Sequence, residues 1–274
     1  MLKITSLVEN TKSEPSFICE HGLSLLIEWK GVTILLDTGA SEAFLENAEL
    51  MDIDLSKLDY VVLSHGHSDH SGGVRTLCHS TRRKFKLVLN PHFFDKKFKQ
   101  DGEYLRYIGN DINEEFLQIE NVTTIFPMLN TFTLIEGVSI LSEFDAFAAF
   151  ENESSDFVAL RGGVYDKDLF AEEQVLAIDH PKGFVVISGC SHRGIVNICK
   201  TIKDRLQKPV YALVGGIHLM DSSDERIERT VAFLKEEGIS VLAAGHCTGA
   251  KGIACLEAAG IEVLSLSSGT VIEL

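Results

Sequence analysis

Short apolar runs broken by turn residues open the chain. "LKITSLV" (2–8) precedes a polar stretch, then come "LSLLIEW" (23–29), Lys30-Gly31 and "VTILLD" (32–37). Branched and aromatic runs of this length predict strands, and a Lys-Gly pair between two of them predicts a hairpin. After Thr38-Gly39, "SEAFLENAEL" (41–50) has the spacing of a helix, with Phe44, Leu45 and Ala48 on one side and Ser41 as its N-cap. "LDYVVLS" (58–64) predicts a buried strand, followed by a helix over Gly72–Cys78. The stretch 90–156 mixes aromatic and charged residues, with strand candidates "TFTLI" (131–135) and "VSILS" (138–142). It predicts a substrate-covering insertion. "EQVLAIDHPKGFVVISG" (173–189) predicts a second hairpin, turning at Pro181-Lys182-Gly183. From Gly194 onward helices and strands alternate: a helix to about Leu206, "VYALVGG", "DERIERTVAFLKEEG", "SVLAAG", "GAKGIACLEAAG" and "EVLSL". Each half runs strands first and strand–helix alternation second, which suits two face-to-face sheets with helices outside. There is no short repeat or linker, so residues 1–274 are expected to form one domain with its insertion around 90–156.

Composition narrows the function classes. With 274 residues and 45% hydrophobic content, the chain can build a core without a disulfide or metal to hold it. The net charge of −15 argues against a nucleic-acid partner, because backbone binding needs a Lys/Arg surplus. The basic cluster Arg82-Arg83-Lys84 with Lys86 is expected to be a solvated strand edge. No leader-like segment opens the sequence and no run reaches the length of a membrane span, so no membrane partner is expected. Six cysteines without a CxxC pair or framework spacing point to free thiols and a cytoplasmic protein.

Chemistry concentrates in "VVLSHGHSDHSGGV" (61–74), where three of the ten histidines and an aspartate fall within six positions. In an extended segment residues two apart point the same way, so His65 and His67 can chelate one ion. Asp69 and His70 can face a second position. Imidazole with carboxylate suits Zn²⁺, with Fe or Mn²⁺ as alternatives. Chance occurrence of H-x-H-x-D-H in such a chain is on the order of 10⁻³, so a metal site is the expected reading. One segment offers too few ligands for a complete site. His192 in "VVISGCSHRG", His218 in "LVGGIHLM" and His246 in "VLAAGHCTG" each follow an apolar run that ends in small residues. Strand ends of this kind are where layered folds place functional loops. His21, His79, His92 and His180 lack that context and are expected to be structural or surface residues.

These residues resemble the metallo-β-lactamase superfamily: "LLDTG" with Asp37, "SHGHSDH" at 64–70, and the histidine-bearing strand ends. The resemblance covers the chain in order. "SGCSHRGIVN" (188–197), "GGIHL" (215–219) and "GHCTG" (245–249) are similar to the branch of metal-dependent hydrolases that includes dihydropterin ribofuranosyl-aminobenzene phosphate synthases. It implies an α/β fold, the four-layer αββα sandwich. It implies that His65 and His67 bind a first metal, that Asp69, His70 and His246 bind a second, and that Asp37 orients ligands from beneath. The superfamily's bridging aspartate is missing, because Gly189-Cys190-Ser191-His192 stands there. Cys190 falls near that position and His192 can supply the ligand in its place. A thiolate there would favour Zn²⁺, and a cysteine held outside the site would leave one metal or a weakened second. His218 is a further ligand or, preferred, a substrate-facing acid/base.

The expected activity is hydrolysis of an ester-like bond, a phosphoester first, by a metal-bound hydroxide with one or two Zn²⁺ ions. Asp69 would hold the water or take its proton, and His218 would serve the oxyanion or leaving group. The substrate would be a small molecule, with a phosphorylated one as the first candidate. Two alternatives stay open: the synthase reaction, a phosphoribosyl transfer whose phosphate contacts would come from Arg161 and Gly162-Gly163, and a metal-binding module without turnover.

Overall fold

Lys30 and Gly31 both have positive φ, 48° and 82°, and join β2 (Ser24–Trp29) to β3 (Val32–Leu36) in a two-residue hairpin. Positive φ at both turn positions matches the twist of the strands, so Lys-Gly sets the register Trp29↔Val32. The computed structural model describes residues 1–80, 85–151 and 156–274. The basic run at 82–84 lies outside the described residues, and its neighbour Lys86 opens a strand.

The chain divides into two compact units. The first comprises Met1–Pro127, Ser155–Asp168 and Ser267–Leu274; the second comprises Met128–Ser154 and Leu169–Leu266. The first unit contains a seven-stranded sheet in the order β18-β1-β2-β3-β4-β5-β8. Here β1 is Leu2–Val8, β4 Tyr60–Val62, β5 Lys86–Val88, β8 Thr123–Ile125 and β18 Val271–Glu273. The pairings β18-β1, β1-β2 and β2-β3 are antiparallel, and β3-β4, β4-β5 and β5-β8 are parallel. A small sheet of the same unit has the order β12-β11-β6-β7, with β6 Lys96–Asp101, β7 Tyr104–Tyr107, β11 Phe157–Arg161 and β12 Val164–Lys167. The second unit holds a seven-stranded sheet ordered β17-β16-β15-β14-β13-β10-β9. Its strands are β9 Thr131–Ile135, β10 Val138–Ser142, β13 Gln174–His180, β14 Gly183–Ser188, β15 Val210–Gly215, β16 Val241–Ala244 and β17 Val263–Ser265. Again three antiparallel pairings, β9 to β14, are followed by three parallel ones, β14 to β17.

Helices cover one face of each large sheet within its own unit. In the first, α1 (Ala43–Leu50) and α3 (Val74–Ser80) place Phe44, Ala48, Val74 and Leu77 against Leu26, Leu35, Val61 and Leu87. In the second, α5 (Ile195–Leu206), α6 (Asp224–Glu236) and α7 (Gly249–Ala258) turn Ile198, Ile202, Val231, Leu234 and Leu256 onto Val186, Leu213 and Leu242. Each such side chain contributes roughly 1.5–3 kcal/mol on burial. Cores of this kind explain why neither unit needs a disulfide: all six cysteines are free thiols.

Several expectations shift in detail. The first helix begins at Ala43 with Glu42 at its cap, and Ser41 serves it differently, its Oγ accepting from Ala43 N at 3.2 Å. The helix expected over 72–78 is preceded by a separate helical turn, α2 (Ser68–Ser71), so α3 starts only at Val74. Residues 90–156 supply strands to all three sheets and a short helix, α4 (Glu114–Ile119), capped by Asn113. The C-terminal strand β18, unread in the sequence, closes on β1 with the pairing Ile4↔Ile272.

Candidate metal centre

In the first unit two parallel strands end side by side. Past β3 stands Asp37, whose φ of 60° turns the chain sharply, and past β4 stands Leu63-Ser64-His65. Asp37 is fully buried and accepts three hydrogen bonds: from Ser64 N to Oδ1 at 2.7 Å, from Ser64 Oγ to Oδ2 at 2.7 Å, and from His70 Nδ1 to Oδ2 at 2.6 Å. A hydroxyl has one proton, and Ser64 gives it to Asp37. His65 Nδ1, 2.9 Å from Ser64 Oγ, is therefore the donor in that contact. Both His65 and His70 then keep their protons on Nδ1 and present Nε2 as the lone-pair nitrogen. This is the arrangement by which a carboxylate sets the tautomer of metal-ligating histidines.

The local backbone explains the clustering. His67 is extended (φ −77°, ψ 149°) and ends the run that began at His65, and the turn α2 then carries Asp69 and His70 round. The ring centroids of His65 lie 4.6 Å from those of His67 and 4.3 Å from those of His70. Gly72 and Gly73 follow because a Cβ at either would strike backbone, Ala40 O at Gly72 and Thr38 O at Gly73. His65, His67 and His70 are buried, and Asp69 keeps 19% side-chain exposure. Asp69 Oδ2 is 3.6 Å from His70 Nε2 and 3.4 Å from His21 Nε2. Burial holds His67 down at about 3 and His65 well below the usual imidazole range, so both are neutral near pH 7. Neutral imidazoles with a carboxylate are the donor set of a Zn²⁺-type ion, so the residues of this unit fit a metal.

The second unit presents its candidates at the ends of three adjacent parallel strands. Cys190, Ser191 and His192 follow β14, His218 follows β15, and His246 follows β16. Ser191, His218 and His246 all have positive φ, 62°, 46° and 51°, in the left-handed region costly for residues other than glycine. The His192 ring stacks on Phe170 with centroids 3.9 Å apart and lies 4.2 Å from the His218 ring. Donor atoms of Cys190 lie within 4.8 Å of those of His192 and, separately, of His246. Cys247 Sγ donates to Cys190 O at 3.3 Å. The His192 and Arg193 backbone N–H groups, both at 2.7 Å, are held by the buried carboxylate of Glu173. Burial first and Arg226 second push His218 down to about 4. It is a neutral imidazole near pH 7, able to donate an N–H hydrogen bond but not to act as an imidazolium.

Other candidates fall elsewhere. Arg161 is engaged with Asp95 (2.6 Å) and Asp168 (3.1 Å), and Gly162-Gly163 form the turn between β11 and β12. His79 pairs with Glu120, His92 with Asp95, and His180 stacks on Tyr211, as structural residues. His21 is exposed and approaches Asp69. Ser64 and Glu173 were not legible as site residues, because a lone Ser or Glu has no spacing signal. The buried pair Lys97–Asp168, at 2.8 Å, was hidden for the same reason.

The fold and these strand ends define a class. The model of the metallo-beta-lactamase superfamily matches residues 18–125. A 7,8-dihydropterin-6-methyl-4-(beta-D-ribofuranosyl)-aminobenzene-5'-phosphate synthase of Methanocaldococcus jannaschii is 32% identical over 262 residues, 91% of this chain and 88% of the relative. The chain belongs to the metallo-beta-lactamase superfamily, and its α/β fold is the one the sequence predicted. The uncharacterized protein MJ0448 of the same organism is 31% identical over 254 residues, 92% of either chain. Among solved structures, Tm1679, described as a metal-dependent hydrolase of the beta-lactamase superfamily, superposes with a TM-score of 0.87 at 30% identity, covering 100% of this chain and 99% of that one. The superfamily binds metal ions, and this chain has the residues to do so. No helix among the described residues is long and apolar enough to cross a membrane.

Proposed function

We propose that this protein is a metal-dependent hydrolase of an ester-like bond, with a phosphoester as the first candidate. The observation that carries the reading is the buried Asp37–Ser64 pair, which points the lone pairs of His65 and His70 away from the carboxylate that orients them. His65, His67, Asp69 and His70 of the first unit would hold a metal, and in the second unit His192, His246 and the Cys190 thiolate are the candidate donors. Zn²⁺ suits this set best, as one ion or two. A bound ion supplies Lewis acidity and makes water nucleophilic near neutral pH. Asp69, the one partly exposed member of its cluster, would hold that water and accept its proton. His218, neutral, would donate its N–H to developing oxyanion charge.

The preference for a phosphoester draws on the synthase relative, whose named product carries a 5'-phosphate. The same name supports a second reading, phosphoribosyl transfer in pterin biosynthesis, although Arg161 and Gly162-Gly163 lend it no support. We also take the protein to be cytoplasmic, in keeping with its free thiols, and to act on a small molecule. Elemental analysis of protein purified without chelator is expected to find one or two zinc ions per chain. The loaded protein should hydrolyse bis-p-nitrophenyl phosphate, and His67→Ala should reduce turnover to the blank. Loaded protein that is inert on every ester, yet releases pyrophosphate from phosphoribosyl pyrophosphate, would replace this reading with the synthase. Inertness in both assays would leave a binding module.

A further inference from the structure

The small sheet is a basic island in an acidic chain. Its four strands carry Lys96, Lys97, Lys99, Arg106, Arg161 and Lys167 against only Asp101 and Asp166, in a protein of net charge −15. Lys97 pairs with Asp168, and Arg161 with Asp95 and Asp168. Strand register sorts the others. Lys99 lies opposite Arg106 on one side and Phe157 on the other, so these three side chains stand in a row on one face.

That row leads to the histidine cluster of the same unit. Lys99 Nζ sits 5.7 Å over the Phe157 ring, and the Phe157 ring is 5.2 Å from the ring of His67. The strand bearing Arg106 runs on to Gly109, which is bridged to His67. Three residues of extended chain put Arg106 about 10 Å from that bridge. Arg106 is exposed and has no salt-bridge partner among the described residues. Structural ion pairing accounts for Lys97 and Arg161 but leaves Arg106 without such a role. A chain this acidic repels an anionic substrate at long range, and a local pair of cations would reverse the field where the substrate docks.

We infer that Lys99 and Arg106, with Phe157 as the floor beneath Lys99, form a recognition subsite for a second anionic group on the substrate, a phosphate monoester about 10 Å from the bond that is cut. Two adjacent cations match a dianion, and the guanidinium fork of Arg106 suits phosphate geometry. This rests on the ester-hydrolase reading and adds the substrate class: an ester whose retained part carries its own phosphate.

Two matched chromogenic esters test it on the zinc-loaded protein, thymidine 5′-(p-nitrophenyl phosphate) with and without a 3′-phosphate. The bisphosphate is expected to have at least about tenfold higher kcat/KM, the equivalent of one charge-assisted contact. Lys99→Met with Arg106→Gln should bring the ratio to about one, and raising salt should erode it in the wild type. A titration by calorimetry supplies a readout independent of turnover. Ribose 5-phosphate should bind and ribose should not, and the double variant should lose the difference. Both substitutions are at partly or fully exposed positions, and Phe157→Leu provides a second variant that removes the ring beneath Lys99 and keeps an apolar side chain beside His67, with an expected fall in the bisphosphate-to-monophosphate ratio of about threefold or more. Hydrolysis of both esters at equal efficiency, with ribose 5-phosphate affinity unmoved by the double variant, would overturn the subsite and leave the hydrolase reading standing. If neither ester is turned over but ribose 5-phosphate binding depends on Lys99 and Arg106, the hydrolase reading fails and the anion subsite survives.

Discussion

In the first unit pairing switches from antiparallel to parallel at β3, and in the second at β14. Past each switch strand stands a non-glycine residue with positive φ, Asp37 in one and Ser191 in the other. The two sheets share a topology, yet their chemistry at this place differs. In the first, a single buried carboxylate holds Ser64 and His70 and, through Ser64, His65. In the second, the residue before the strained position is Cys190, and the histidines arrive on three separate strands. A carboxylate beneath imidazoles fixes their tautomers; a thiol among them does not, but offers a softer donor. One unit thus carries a preorganised candidate ligand set, and the other carries the variable part.

Substituting Asp37 attacks that contrast at its strongest point. Asp37→Asn keeps a residue that tolerates positive φ but removes the acceptor oxygen that sets His70 or Ser64. Metal affinity measured by chelator competition should fall about 10- to 100-fold, with activity falling in step. An unchanged affinity would mean that the first unit is no better organised than the second.

Glu151 probes whether the second unit has its own charge-based order. Its carboxylate accepts from Val196 N and Asn197 N at the start of α5, and burial raises it from 4.5 to about 6. The sign follows from the raised value: the folded state binds the proton more tightly than the unfolded, so this stability is present below pH 4.5 and is lost as pH rises through about 6. Denaturant titrations should show wild type losing about 2 kcal/mol over that window relative to Glu151→Gln. A parallel pH dependence in the two proteins would remove Glu151 from the account.

The finest test concerns Cys190. Cobalt-substituted protein should show a thiolate-to-metal charge-transfer band that Cys190→Ser abolishes, and zinc affinity should drop about tenfold. If the band is absent from the wild type, the cysteine stands outside the donor set and the contrast between the units sharpens further.

The first candidate ligand set was legible because it is local. His65, His67, Asp69 and His70 lie within six residues, and the change from extended chain to the turn α2 brings them round with no help from distant sequence. Most strands and helices of both large sheets were legible for a similar reason, since period-two and helical spacings are recorded residue by residue; the short strands β5, β8 and β18 were not. In the stretch 90–156 only β9 and β10 were read. The other strands there are short and largely exposed, and they hold their place by pairing with distant partners, as Phe98 does with Val158 and Thr123 with Lys86.

By itself, then, the sequence determined the histidine-rich strand ends, the hairpins at Lys30-Gly31 and Pro181-Lys182, and the alternation that makes each unit. Which nitrogens carry protons was decided only by tertiary structure, because Asp37 is 33 residues from His70 and reaches it through the pairing of β3 with β4. The same holds for the row Arg106–Lys99–Phe157, which no linear spacing could reveal. Side-chain chemistry is written in the chain, but hydrogen-bond direction and cross-strand neighbours exist only once the register of the sheet has been set.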